Sequence, residues 1–118
     1  MEVGYEEPDR GGEHRTRQAM RFVADFIQYV GGATDVAECA RVAGCTRESL
    51  VRVFPLVYSS RVQEYIDTCR MEEIARLLRR GWKKKDIATY FGVSRQALSG
   101  WMKRRRGRWP YLPEDEFG

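Results

Sequence analysis

Two stretches of the chain carry one pattern, 48 residues apart. The first reads ECARVAGCTRESLVRVF, from Glu38 to Phe54, and the second DIATYFGVSRQALSGWM, from Asp86 to Met102. Ala40 aligns with Ala88, Gly44 with Gly92, Thr46 with Ser94, Arg47 with Arg95 and Leu50 with Leu98. A small residue in a first helix lets a second helix cross closely. Glycine turns the chain with positive φ at no steric cost. A hydroxyl residue two positions on caps the next helix, and apolar residues then face back into the pair, Leu50 and Val53 in one copy, Leu98 and Trp101 in the other. Each copy therefore reads as a helix-turn-helix. The alternative, a plain helical hairpin, explains one copy but not two in register.

The rest of the chain reads as helix as well. Ala19, Phe22, Val23, Phe26, Ile27 and Val30 recur at helical spacing and predict a first helix from about Arg15 to Val30, with that stripe as its core face. Gly31 and Gly32 stop it, and Thr34 is expected to cap the helix that follows. The first unit's second helix is expected over Arg47 to Phe54, with Pro55 ending it. Ser60 and Gln63 have capping-box spacing and predict a helix to about Arg80, closed by Gly81. Its apolar stripe changes phase: Val62, Tyr65, Ile66 and Cys69 share one face, while Met71, Ile74, Ala75, Leu77 and Leu78 turn toward another. A helix packing two partners has that pattern. At about 1.5 Å per residue it would span about 30 Å, close to the roughly 34 Å between successive major-groove faces on one side of DNA. No strand-like alternation appears, so the expected fold is all-α: two helix-turn-helix units joined by a long linker helix. The expected division is an acidic, disordered tail over 1–13, a first unit over 14–58, the linker helix over 59–80, a second unit over 81–112 and an acidic tail over 113–118.

Charge is distributed unevenly over the 118 residues, whose formal net charge is +4. Residues 1–13 carry net −4, and residues 81–110 hold nine bases and one acid, net +8. The positive field thus lies over the second unit, where it would attract a phosphate backbone. A solvated basic face would leave such a run idle, but this run sits on a reading unit. An acidic membrane surface fits less well, because no helix pairs the bases with a broad apolar face.

Known helix-turn-helix docking puts the first residues of the second helix, and the outward positions behind them, against base edges. In the first unit these are Arg47, Glu48, Val51 and Arg52, and in the second Arg95, Gln96 and Ser99. Arginine pairs bidentately with guanine, glutamate accepts from cytosine, valine packs on a thymine methyl and glutamine suits adenine. Thr46 and Ser94 can donate to phosphate besides capping. Lys83, Lys84, Lys85, Lys103, Arg104, Arg105 and Arg106 are expected to grip the backbone without reading bases.

The layout resembles the DNA-binding domain of the AraC/XylS family of transcription regulators over about residues 15–112. That resemblance rests on Phe54, Tyr65 eleven positions on, Arg70 five further, the run ARLL from Ala75 to Leu78, and KRRRGRWP with Gly107 and Pro110. It implies two helix-turn-helix units on one chain and a short member without a ligand-sensing domain. The sequence departs from the family at Met102, where phenylalanine is usual, and at Gly100, where a DNA-facing arginine is common. Ser59 stands nearest the place of a usual glycine, and Pro113 falls within the family's closing helix. The string GVSRQALSGW also resembles repressors and the helix-turn-helix arms of recombinases and transposases.

The leading expectation is a sequence-specific, double-stranded DNA-binding regulator that occupies a promoter and contacts or excludes RNA polymerase. Two others stay open: a DNA-recognition protein of a phage or mobile element, and a basic helical module that binds an acidic protein. Enzymatic activity is not expected, since the sequence shows one histidine, no clustered carboxylates and no glycine-rich phosphate loop. No cofactor or metal site is expected either: the single histidine, His14, lies next to the acidic tail, and Cys39, Cys45 and Cys69 lack metal-ligand spacing and read as buried thiols. Without a recognisable leader or span, the expected location is the cytoplasm, at the nucleoid. Two reading units on one chain would let a monomer contact two groove segments.

Overall fold

The computed structural model describes the backbone of residues 3–109 and Leu112, and side chains from His14 onward. The described residues form six α-helices and a short 3-10 turn, with no strand among them. The helices are α1 (Val3–Tyr29), α2 (Val36–Ala43), α3 (Arg47–Tyr58), α4 (Val62–Arg79), α5 (Lys84–Phe91) and α6 (Arg95–Arg104), and the turn spans Arg106–Arg108. The fold is all-α, as the periodicity predicts. Two compact units divide the chain at Asp67 and Thr68, a boundary inside α4. The expected acidic tail over 113–118 lies outside the described residues.

In the first unit α1 packs on α2 and α3. Its buried face is Met20, Val23, Ala24 and Ile27, whereas Phe22 is 60% exposed. The expected stripe was therefore rotated by part of a turn: α1 is apolar on two sides, and only the packing partners choose between them. The helix also starts at Val3 instead of near Arg15, so the expected tail is helical backbone from residue 3. Extending a formed helix adds one bond per residue fixed, so weak formers such as Gly11 and Gly12 do not by themselves end it.

Three local expectations shift by a residue or more. Asp35, not Thr34, caps α2 and accepts from the Glu38 N–H at 2.8 Å. A carboxylate there also complements the positive end of the helix, and the Thr34 hydroxyl instead donates to the Glu38 carboxylate at 2.6 Å. The expected pair of Ser60 and Gln63 does not form the capping box: the Arg61 N–H donates to the Glu64 side chain at 3.4 Å, while Gln63 donates to Asp67 at 3.0 Å. Finally, α3 does not stop before Pro55 but runs on to Tyr58. Behind it Phe54 is fully buried and stacks on Tyr58, with Tyr65 edge-on. That ring cluster holds the last turn together despite the missing N–H of Pro55.

Beyond Tyr58 the chain leaves α3 through Ser59, which has φ 55° and donates its N–H to the Pro55 carbonyl at 2.9 Å. A left-handed residue with a Cβ costs roughly 1–2 kcal/mol, and glycine avoids that cost at the expense of about 0.5–1 kcal/mol of extra chain entropy. Ser59→Gly is therefore expected to stabilise the protein by about 0.5–1 kcal/mol. A urea midpoint that stays put or falls would contradict the strain assigned to this residue.

The second unit closes on Met71, Ile74 and Leu77 of α4, Ile87 and Ala88 of α5, Leu98 and Met102 of α6, and Trp109. The phase change in α4 appears as expected: Val62 and Ile66 are buried in its first turns, and Met71, Ile74 and Leu77 later. Met102 is fully buried, so it fills the slot where the resemblance leads one to expect phenylalanine. Arg70 lies 5.6 Å from the Phe91 ring centroid and 5.3 Å from that of Trp101, a cation between two aromatic faces.

Candidate nucleic-acid interface

The two copies of the repeated pattern make the same turn. Gly44 ends α2 with φ 71°, and Gly92 ends α5 with φ 72°. The next N–H reaches back to the alanine carbonyl: Cys45 to Ala40 at 3.0 Å, and Val93 to Ala88 at 2.9 Å. A Cβ added at either glycine would meet nothing within 4 Å, so glycine is needed here for its backbone angle and not for space. Thr46 then accepts from the Ser49 N–H at 3.1 Å, and Ser94 from the Ala97 N–H at 3.0 Å. Both hydroxyls cap as expected. One inward step of the expectation moves: the fully buried partner of Leu50 is Phe54, and that of Leu98 is Met102, with Val53 and Trp101 half-buried beside them.

Each turn therefore delivers a helix with its apolar side fixed and its other side open. On α3, Arg47, Glu48, Val51 and Arg52 are all exposed, as is Thr46 before them. On α6, Arg95 and Gln96 are exposed and Ser99 is half-exposed; with Gly100 and Lys103 they line one shallow recess of about 450 Å³. Gly100 opens that recess, because the only neighbour a Cβ there would approach is the Arg104 guanidinium at 3.4 Å. A second recess of about 490 Å³ joins Lys83, Lys84 and Lys85 to Arg95, with Leu78 and Trp82 as its apolar wall. The lysine run at the start of α5 and the first residue of α6 thus line one cationic recess, as a phosphate backbone requires.

Arg105, expected to grip the backbone, packs on its own unit. Its guanidinium lies 4.1 Å from the Trp101 ring centroid and donates to the Trp101 carbonyl at 3.2 Å. Because α6 ends at Arg104 and the chain enters a 3-10 turn, Arg105 folds back onto its own unit while Lys103, Arg104 and Arg106 are exposed. Trp82, on the wall of the lysine recess, and Tyr90 are not among the expected contacts. They are 41% and 46% exposed, and their rings meet edge-on at 6.3 Å. Trp82 stands directly before three lysines, and Tyr90 follows the last of them by five residues.

The remaining chemistry is quiet. Burial, and secondarily the Glu72 carboxylate, pushes the Cys69 thiol up to about 11. Burial likewise raises the Cys39 thiol. Both sulfurs are therefore held protonated near neutral pH. Among the described residues no group of His, Cys, Asp and Glu is arranged to hold a metal ion, and no helix is long and apolar enough to cross a membrane.

Residues 70–109 match the family model of a homeodomain-like domain. The match takes in the later turns of α4, all of α5, the Gly92 turn and α6, so a helix-turn-helix domain of DNA-binding type occupies the second unit. No curated protein and no solved structure matches the chain.

Proposed function

We propose that this protein is a sequence-specific, double-stranded DNA-binding regulator of transcription, with α3 and α6 as the recognition helices of two helix-turn-helix units. One observation carries the reading beyond the matched domain. The hydrogen-bonded glycine turn and hydroxyl cap of residues 88–97 recur in residues 40–49, and each leads into a helix whose outward face is open. The layout resembles that of AraC/XylS regulators, in which both units bind. In this reading Arg47, Glu48, Val51, Arg52, Arg95, Gln96 and Ser99 meet base edges. Thr46, Ser94, Lys83, Lys84, Lys85, Lys103, Arg104 and Arg106 hold phosphates. Arg105 is left out, since it is engaged with Trp101. The protein would act at the nucleoid by contacting or excluding RNA polymerase, with no catalytic residue, cofactor or metal.

Selection from a random double-stranded library tests the assignment. Arg47→Ala and Arg95→Ala are each expected to relax preference at one base position, at a cost of about 1–3 kcal/mol there. Lys84→Ala is expected to weaken all sequences alike and to reduce the salt slope by about 1. If Arg47→Ala leaves every base preference unchanged while Arg95→Ala does not, α3 is not a recognition helix. A second reading, a DNA-recognition protein of a mobile element, draws on the family match being confined to the second unit. Selected sites at element ends instead of upstream of genes would favour it.

A further inference from the structure

The first unit carries an apolar face that its own fold leaves uncovered. While Met20, Val23, Ala24 and Ile27 of α1 are buried, Ala19, Phe22, Phe26 and Tyr29 follow one another at spacings of three, four and three on another side of the same helix. That is the spacing of a helix–helix seam. Phe22 is 60% and Tyr29 90% exposed, with Ala19 and Phe26 half-exposed. A helix apolar on both sides is ordinarily covered on both.

We propose that this face is the interface of a homodimer, two copies of α1 packing antiparallel about a twofold axis. The surface complements itself. Tyr29 is a projecting ring, and ten residues away, about 15 Å along the helix, a cleft of about 280 Å³ opens beside Ala19, with Thr16, Met20, Cys45 and Val53 around it and Ser49 and Arg52 of α3 on its far wall. A twofold axis across the helix midway between them places each Tyr29 ring in the other copy's cleft. It also sets each Phe22 against the other copy's Phe26. Such reciprocal filling is what a twofold interface demands. Charge selects the same orientation. Arg21 and Asp25, both exposed on the flank of the seam, bring each arginine toward the opposite aspartate when the helices run antiparallel. A parallel pair would instead align two segments, residues 1–13, that each carry net −4. The seam is short, so the dimer belongs to the weak, transient class of interfaces, with a dissociation constant of roughly 10–100 µM.

Sedimentation of the full chain, without DNA, tests this independently of any DNA-binding role. The average mass is expected to rise from the 13.8 kDa monomer toward twice that value across a range of about 5–500 µM. Phe22→Glu and Tyr29→Glu, at exposed positions that leave the core intact, should each weaken association at least about tenfold, with helical circular dichroism unchanged. Ala19→Tyr alone should also weaken it, by closing the cleft, and Ala19→Tyr with Tyr29→Ala should restore it by exchanging ring and hole. A chain that stays monomeric throughout the range, or forms assemblies larger than two, overturns the proposal. So does a dimer indifferent to Phe22→Glu, or an Ala19→Tyr defect that the exchange does not repair.

Discussion

Raising salt from about 50 to 200 mM is expected to weaken DNA binding by roughly a thousand- to ten-thousandfold. The expectation comes from the +8 carried by residues 81–110 and from where those charges lie. Lys83, Lys84, Lys85 and Arg95 ring one recess, and Lys103, Arg104 and Arg106 follow along and beyond α6. If they neutralise about five to eight phosphates, counterion release gives a log–log slope of roughly −5 to −7. Base contacts add little to that slope, because they displace few condensed ions. The slope therefore measures the backbone grip separately from specificity, and a fluorescence titration on a fixed duplex at several salt concentrations reads it directly. An affinity flat across this range would remove the phosphate-binding role of the cationic surface.

Phe54→Ala is expected to cost about 3–5 kcal/mol of stability. Phe54 is fully buried and its ring lies 5.0 Å from Tyr58 and 5.4 Å from Tyr65. Removing it opens a cavity in the first unit and takes away the contact that holds α3 past Pro55. Small units have little stability to spare, so the variant should lose most of the first unit's cooperative unfolding. Chemical denaturation followed by circular dichroism would show the loss. A cost below about 1 kcal/mol would mean that the ring cluster is not the anchor of α3, because truncating a well-packed buried aromatic side chain does not come that cheaply.

The two turns and their caps were legible in the sequence. A positive-φ glycine and a hydroxyl cap three residues from its N–H partner both act within one or two helical turns, so neighbouring residues suffice to specify them. The same holds for the phase change along α4, where periodicity alone marks two burials. Other features depended on what lies across from them in space. Only packing against α2 and α3 decided that Met20 and Ala24 enter the core while Phe22 faces out. Only the cluster of Phe54, Tyr58 and Tyr65 carried α3 past a proline that local rules take as a stop. Arg105 looked like one more basic residue in a run until Trp101 offered it a ring and a carbonyl. Hydrogen bonds between near neighbours are written in the order of residues. Burial is a contest among faces that only the assembled helices settle.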